Sequence, residues 1–149
     1  MTRVVVAGAA GRMGKTLVEA VARDPAASLA GALERQGSAL VGADAGELAG
    51  VGRLGVAVVD TLDALGDGFD VLIDFTQPEA TLDHLAWCRA RGRRMVIGTT
   101  GLSPAQRASV EEEAREVAVV FSPNMSVGVN LCFRLLETAA RVLGDEFDV

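Results

Sequence analysis

The sequence predicts an α/β fold, a doubly wound and mostly parallel sheet, on three observations. Short apolar runs alternate with helix-period segments along the whole chain, the order expected of strands joined by crossover helices. The runs are apolar at consecutive positions, as in strands buried on both faces. The first run, Val4-Val5-Val6-Ala7, enters a glycine turn that opens a helix, and the next run ends on an acid. No internal repeat competes with this order.

The elements follow in sequence. Residues 3–7 read as a strand, and 12–23 as a helix with Met13, Leu17, Val18 and Val21 on one face, ended by Asp24-Pro25. A second strand spans 29–34. Residues 36–55 are rich in Gly, Ala and Asp, without a period. That is long for a loop in a compact domain and predicts a functional or partly helical excursion. A short strand at 56–59 and a short helix from Thr61 to Leu65 come next, then a strand at 70–74. Thr76, with Glu79 three residues on and Pro78 between, reads as a capping box. It opens a helix to about Arg91, which Gly92 stops. Residues 94–97 form the next strand. Ser103-Pro104-Ala105-Gln106 is a second capping box, for a helix to about Glu116. Residues 117–121 are a sixth strand, and a last helix covers about 126–143.

The chemistry is concentrated in loops after strands. In Gly8-Ala9-Ala10-Gly11-Arg12-Met13-Gly14 the missing side chains admit phosphates to the backbone, and the helix N-terminus attracts their charge. The spacing is G-x-x-G-x-x-G rather than the commoner G-x-G-x-x-G, and the turn alone serves equally as plain structure. Glu34, twenty residues past Gly14, favours the Rossmann-like dinucleotide-binding fold. Four loops, 8–14, 74–76, 98–101 and 122–126, are small, polar or glycine-bearing and follow strands. In such sheets ligands collect at that edge.

Composition narrows the classes. At 149 residues the chain suits one domain with a substantial core. The net charge of −6 argues against a nucleic-acid partner. The densest basic cluster, Arg89, Arg91, Arg93 and Arg94, falls at a helix end and reads as solvated. Cys88 and Cys132 read as buried reduced thiols, and His84, the single histidine, as a surface residue. No metal site is expected. The apolar N-terminus is too short and glycine-broken for a signal peptide, and no run suits a membrane span. A cytoplasmic, soluble protein is the expectation.

Six segments together resemble the dihydrodipicolinate reductase (4-hydroxy-tetrahydrodipicolinate reductase) family. They are the glycine turn 8–14, Leu33-Glu34-Arg35-Gln36-Gly37-Ser38, Gly42-Ala43-Asp44-Ala45-Gly46 and Ile73-Asp74-Phe75-Thr76-Gln77-Pro78, followed by Val96-Ile97-Gly98-Thr99-Thr100-Gly101 and Asn124-Met125-Ser126-Val127-Gly128-Val129-Asn130. The resemblance implies NADH- or NADPH-dependent reduction of a small-molecule substrate, a dihydrodipicolinate-type intermediate, in lysine and diaminopimelate biosynthesis. It implies that the backbone of Gly8, Ala9, Ala10, Gly11, Arg12 and Met13 holds the pyrophosphate and that Glu34 binds the adenosine ribose. Arg35 would meet a 2′-phosphate. Gly98, Thr99 and Thr100, with Ser122, Pro123, Asn124 and Met125, would line the nicotinamide side. Phe75 and Thr76 would touch the cofactor, although Thr76 serves equally as a helix cap.

The family pattern continues into a second domain with paired histidines and a lysine proton donor, through which a homotetramer forms. Neither His84 nor Lys15 matches those positions, so no catalytic residue is expected in this chain. The expected division is a dinucleotide-binding domain over 1–125 and a helix over 126–149 leading toward a second domain. A chain holding only the cofactor half would be inactive alone and would leave apolar surface uncovered. The alternative is a stand-alone NAD(H)-binding regulatory or redox-sensing module.

Overall fold

The computed structural model describes residues 1–144 and Phe147. Six strands form one sheet in the order β3-β2-β1-β4-β5-β6, with every adjacent pair parallel. They are β1 (Thr2–Ala7), β2 (Ala27–Leu33), β3 (Val58–Val59), β4 (Val71–Asp74), β5 (Arg94–Ile97) and β6 (Val119–Phe121). The helices are α1 (Arg12–Arg23), α2 (Ala45–Ala49), α3 (Pro78–Ala90), α4 (Pro104–Glu113) and α5 (Val127–Leu143), with a 3-10 turn at Leu62–Ala64. This is the doubly wound sheet the alternation predicts.

Side chains alternate across each strand, so one strand feeds two cores. Val5 and Ala7 of β1 join Leu72, Met95 and Ile97 beneath α3 and α4, where Leu85, Cys88 and Val110 complete the cluster. Val4 and Val6 face the other way and meet Val18 and Val21 of α1 with Ala45 of α2. Val5, Val6, Val18, Leu72, Leu85 and Ile97 are fully inaccessible. Consecutive apolar residues in β1 are therefore required by two covered faces.

The strand ends fall in one register row. Ala7 lies beside Leu33 on one side and Asp74 on the other, Asp74 beside Ile97, and Ile97 beside Phe121. The loops after all five strands therefore leave the sheet at one level.

Several local expectations need correction. Thr76 is not the cap of α3: the N-cap is Gln77, with no side-chain cap bond, and Thr76 donates instead to Asp74. Met13 is exposed, and Gly14 takes its place on the buried stripe of α1. α4 opens on the predicted Ser103–Gln106 capping box but stops at Glu113. Its last turn carries no base, and Glu111, Glu112 and Glu113 oppose the negative end of the helix dipole. The 36–55 excursion is partly helical. Asp44 caps α2 through Gly46 and Glu47 and also accepts the amides of Leu54 and Gly55. Those bonds hold its carboxyl below the usual range, with the Leu54 bond the largest cause.

The basic cluster at the end of α3 is also not simply solvated. Arg89 pairs with Glu113 and Glu116, and Arg91 pairs with Asp63 and lies 4.1 Å over the Trp87 ring. Arg93 pairs with Asp67 and donates to the Phe69 carbonyl. These cations tie the end of α3 to its neighbours. Cys88 is buried but Cys132 is exposed, on a helix α5 that buries no residue.

Candidate functional site

Three loops build a cleft of about 790 Å³ at the common edge of the strands. The turn after β1 contributes Gly8, Ala10 and Gly11, the segment after β2 contributes Glu34 and Arg35, and the segment after β4 contributes Phe75 and Thr76. α3 adds Ala80, Asp83 and His84, which sequence reasoning did not place there.

The glycine turn is shaped for backbone approach. Gly8 has φ +66, and a Cβ on it would stand 3.0 Å from the Thr76 methyl. A Cβ on Gly14 would lie 2.0 Å from the Gly8 carbonyl oxygen, so only glycine lets α1 start this close to the turn. The N-cap of α1, Gly11, offers no side-chain cap, and no acid sits in the first turn. The helix thus presents its positive end without a built-in anion, a fit for a phosphate ligand. Glu34 accepts the Ala10 amide at 2.8 Å and so braces the turn from the end of β2.

The other predicted residues fall into three groups. Ala9 is buried beneath the turn, its amide donating to the Leu33 carbonyl, while Arg12 and Met13 are exposed on α1. Gly98 and Thr99 are buried and Thr100 is exposed. The Phe75 ring occupies the space a side chain at 98 would need. Ser122 donates to the Asn124 carbonyl, Asn124 accepts the Ser126 amide, and Pro123 and Met125 are exposed. The structure brings the first three loops to the cleft wall. Residues 98–100 and 122–125 share the sheet edge but do not line that wall.

Behind the wall lies a buried polar cluster centred on Asp74, the last residue of β4 and fully inaccessible. One carboxylate oxygen accepts the Thr76 amide at 2.8 Å and the Thr76 hydroxyl at 2.6 Å, and the Thr99 hydroxyl approaches at 3.4 Å. The other is 2.6 Å from Nδ1 of His84. Burial works to raise the Asp74 carboxyl, but the His84 and Thr76 hydrogen bonds prevail and hold it below its ordinary value. Burial, aided by the Asp74 charge, pushes the Cys88 thiol up to about 12, so it is an inert packing group. His84 is therefore not a plain surface residue. An acid closing a buried apolar strand, with Thr81, Leu85 and Cys88 marking the inner face of the next helix, is the sequence signal that locates it. No group able to hold a metal ion occurs among the described residues. No helix among them is long and apolar enough to cross a membrane.

A parallel sheet in this order, with a glycine turn at a helix N-terminus and an acid closing β2, defines a Rossmann-type dinucleotide-binding unit. A family model described as "Dihydrodipicolinate reductase, N-terminus" matches residues 2–125, and the chain belongs to that family. It is 60% identical over 146 residues to the 4-hydroxy-tetrahydrodipicolinate reductase of Chromohalobacter salexigens, covering 98% of this chain and 54% of that protein. It is 58% identical over 149 residues to the enzyme of that name from Hahella chejuensis, covering 100% of this chain and 56% of that protein. The chain thus spans about half the length of these curated relatives. Among solved structures, it superposes on a dipicolinate-bound dihydrodipicolinate reductase from Paenisporosarcina sp. TG-14 with a TM-score of 0.75. That match has 25% identity and covers 94% of this chain and 54% of the other.

Proposed function

We propose that this chain is the cofactor-binding half of an NAD(P)H-dependent 4-hydroxy-tetrahydrodipicolinate reductase of lysine and diaminopimelate biosynthesis. The observation that carries this is the cleft itself: the uncapped α1 N-terminus, the glycine turn and Glu34 meet on one wall. The relatives' name supplies the reaction. When bound, the nicotinamide supplies the hydride. This chain's residues bind and orient its carrier.

In this reading the backbone of residues 8–13 holds the pyrophosphate and Glu34 binds the adenosine ribose. Arg35, exposed at the cleft, meets the 2′-phosphate of NADPH. Phe75 and Thr76 contact the cofactor from the β4 side. Residues 98–100 and 122–125 lie along the nicotinamide path, where the register row continues past β4 to β5 and β6. Residues 1–125 form the dinucleotide-binding domain. α5 leads away from it, which its complete lack of buried residues supports.

Titration calorimetry on the folded 149-residue chain tests the reading. NADH or NADPH is expected to bind at one site, with no reductase turnover by this chain alone. Absence of heat with both coenzymes overturns it. Arg35→Ala is expected to weaken NADPH about ten-fold or more while leaving NADH within about two-fold, the cost of one charge-assisted phosphate contact. Equal losses would remove Arg35 from that role.

A further inference from the structure

We propose that Asp74 is a positioning residue that ties the α3 side of the cleft to the Gly98–Gly101 loop, so that a ligand at one end sets the other. The inference rests on the dinucleotide reading only for the identity of the ligand.

The donors reaching Asp74 come from three separate segments: Thr76 from the turn after β4, His84 from α3 and Thr99 from the loop after β5. Two of them reach the ligand wall. His84 lines the cleft, and the Thr76 methyl lies against Gly8 of the glycine turn. The third, Thr99, is buried in the loop that leads to Thr100 and Gly101. The Asp74 main chain reinforces the link, its carbonyl accepting the Gly98 amide at 2.9 Å.

Hydrogen-bond polarity runs one way through the cluster. A carboxylate only accepts, so Thr99 meets Asp74 as a donor. The Thr81 hydroxyl, 2.7 Å from that of Thr99, is placed to donate to it in turn. His84 in turn holds its Nδ1 proton toward Asp74, which leaves Nε2 of a neutral ring as an acceptor. A buried carboxylate stays charged only while its donors stay in place. A shift of His84 or Thr76 on ligand contact therefore draws on the same carboxylate that Thr99 reaches, Thr76 through the very oxygen Thr99 shares. An asparagine at 74 keeps the shape but not this pattern. Its amide group would donate toward His84, forcing the ring to the other tautomer and turning Nε2 into a donor.

The whole chain suits an NMR test, because His84 is its single histidine and gives one pair of ring nitrogen signals. Wild type is expected to show Nδ1 protonated, and Asp74→Asn the Nε2 tautomer. The ligand probe is ADP, which carries no nicotinamide. At saturating ADP the amide signals of Thr99 and Thr100 are expected to shift in wild type. In Asp74→Asn and in Thr99→Val the ADP-induced shifts should stop at the glycine turn and α3. Thr99→Val keeps the test open where Asp74→Asn folds poorly. The proposal is overturned if ADP moves the glycine-turn amides but not Thr99 and Thr100, or if both variants transmit the change as wild type does. A spectrum unchanged by ADP sinks the dinucleotide reading instead. The ligand-free chain then decides on Asp74: about ten-fold faster amide exchange at Thr99 and Thr100 in the variants upholds its role, and unchanged exchange overturns it.

Discussion

Asp74 shows how one buried charge is made tolerable. Two short bonds from Thr76 and one from His84 replace the water it has lost, and the net effect is a carboxyl held below its ordinary value of 3.8. The linkage sign follows. A carboxyl with a depressed folded value stabilises the native state fully above the unfolded value and loses that contribution as pH falls through the folded one. The Tm difference between wild type and Asp74→Asn is therefore expected to shrink steadily as pH falls below ~3.8, the unfolded value. Thermal melts followed by circular dichroism across that range check it. A difference that grows on acidification would mean that Asp74 is protonated in the native protein. The groups facing this carboxyl are His84 and Cys88 of α3, and Cys88 stays protonated throughout the range. At this scale the sequence was only partly legible. Gly8 and Glu34 stood out because a strand, a glycine turn, a helix, a strand and an acid follow in a set order, and Arg35 because it adjoins that acid. Asp74 and His84 did not, because a pair ten residues apart is joined only by the path of the chain through β4 and α3.

At the scale of elements, helix limits were legible where the local sequence alone sets them. α1 spans the predicted 12–23, because an apolar stripe and Asp24-Pro25 mark both its length and its stop. The start of α3 was misread because Thr76-x-x-Glu79 has the spacing of a capping box, yet the Thr76 hydroxyl finds a stronger, charged acceptor in Asp74. Tertiary context took the donor away from the local motif. The junction of β1 and α1 is the element on which the proposed binding most depends, and Gly14 is its tightest point. A methyl there would meet the Gly8 carbonyl oxygen and the Ala9 backbone, none of which is the end of a flexible side chain. Gly14→Ala is expected to cost about 2 kcal/mol or more of stability, despite the better helix propensity of alanine. It should also weaken NADH binding by tilting α1 away from the turn. Urea titration and calorimetry on the same preparation check both. A stabilised variant with unchanged affinity would show that the turn yields easily.

At the scale of the molecule, the two-sided sheet was readable from the pattern of apolar runs, and its strand order fits the rule that parallel strands need crossover helices on both faces. What each helix packs against was not readable in the same way, and α5 shows why. Its apolar spacing is that of an ordinary amphipathic helix, yet none of its residues is buried. Val127 is 84% exposed, Leu135 61% and Phe133 58%, far from the near-zero values of the sheet core. An apolar face of this kind binds environment-sensitive dyes and promotes association. Since α5 buries nothing, polar substitutions on it should leave the domain intact. Leu131→Ser with Leu135→Ser is expected to cut anilinonaphthalene sulfonate fluorescence by about half or more and to reduce concentration-dependent self-association in size-exclusion chromatography. Tm should fall by no more than about 4 °C, the cost of two exposed positions. A Tm loss several times larger would instead place α5 on the sheet. The exposed leucines would then be core residues of a more compact domain, and the boundary at residue 125 would be wrong.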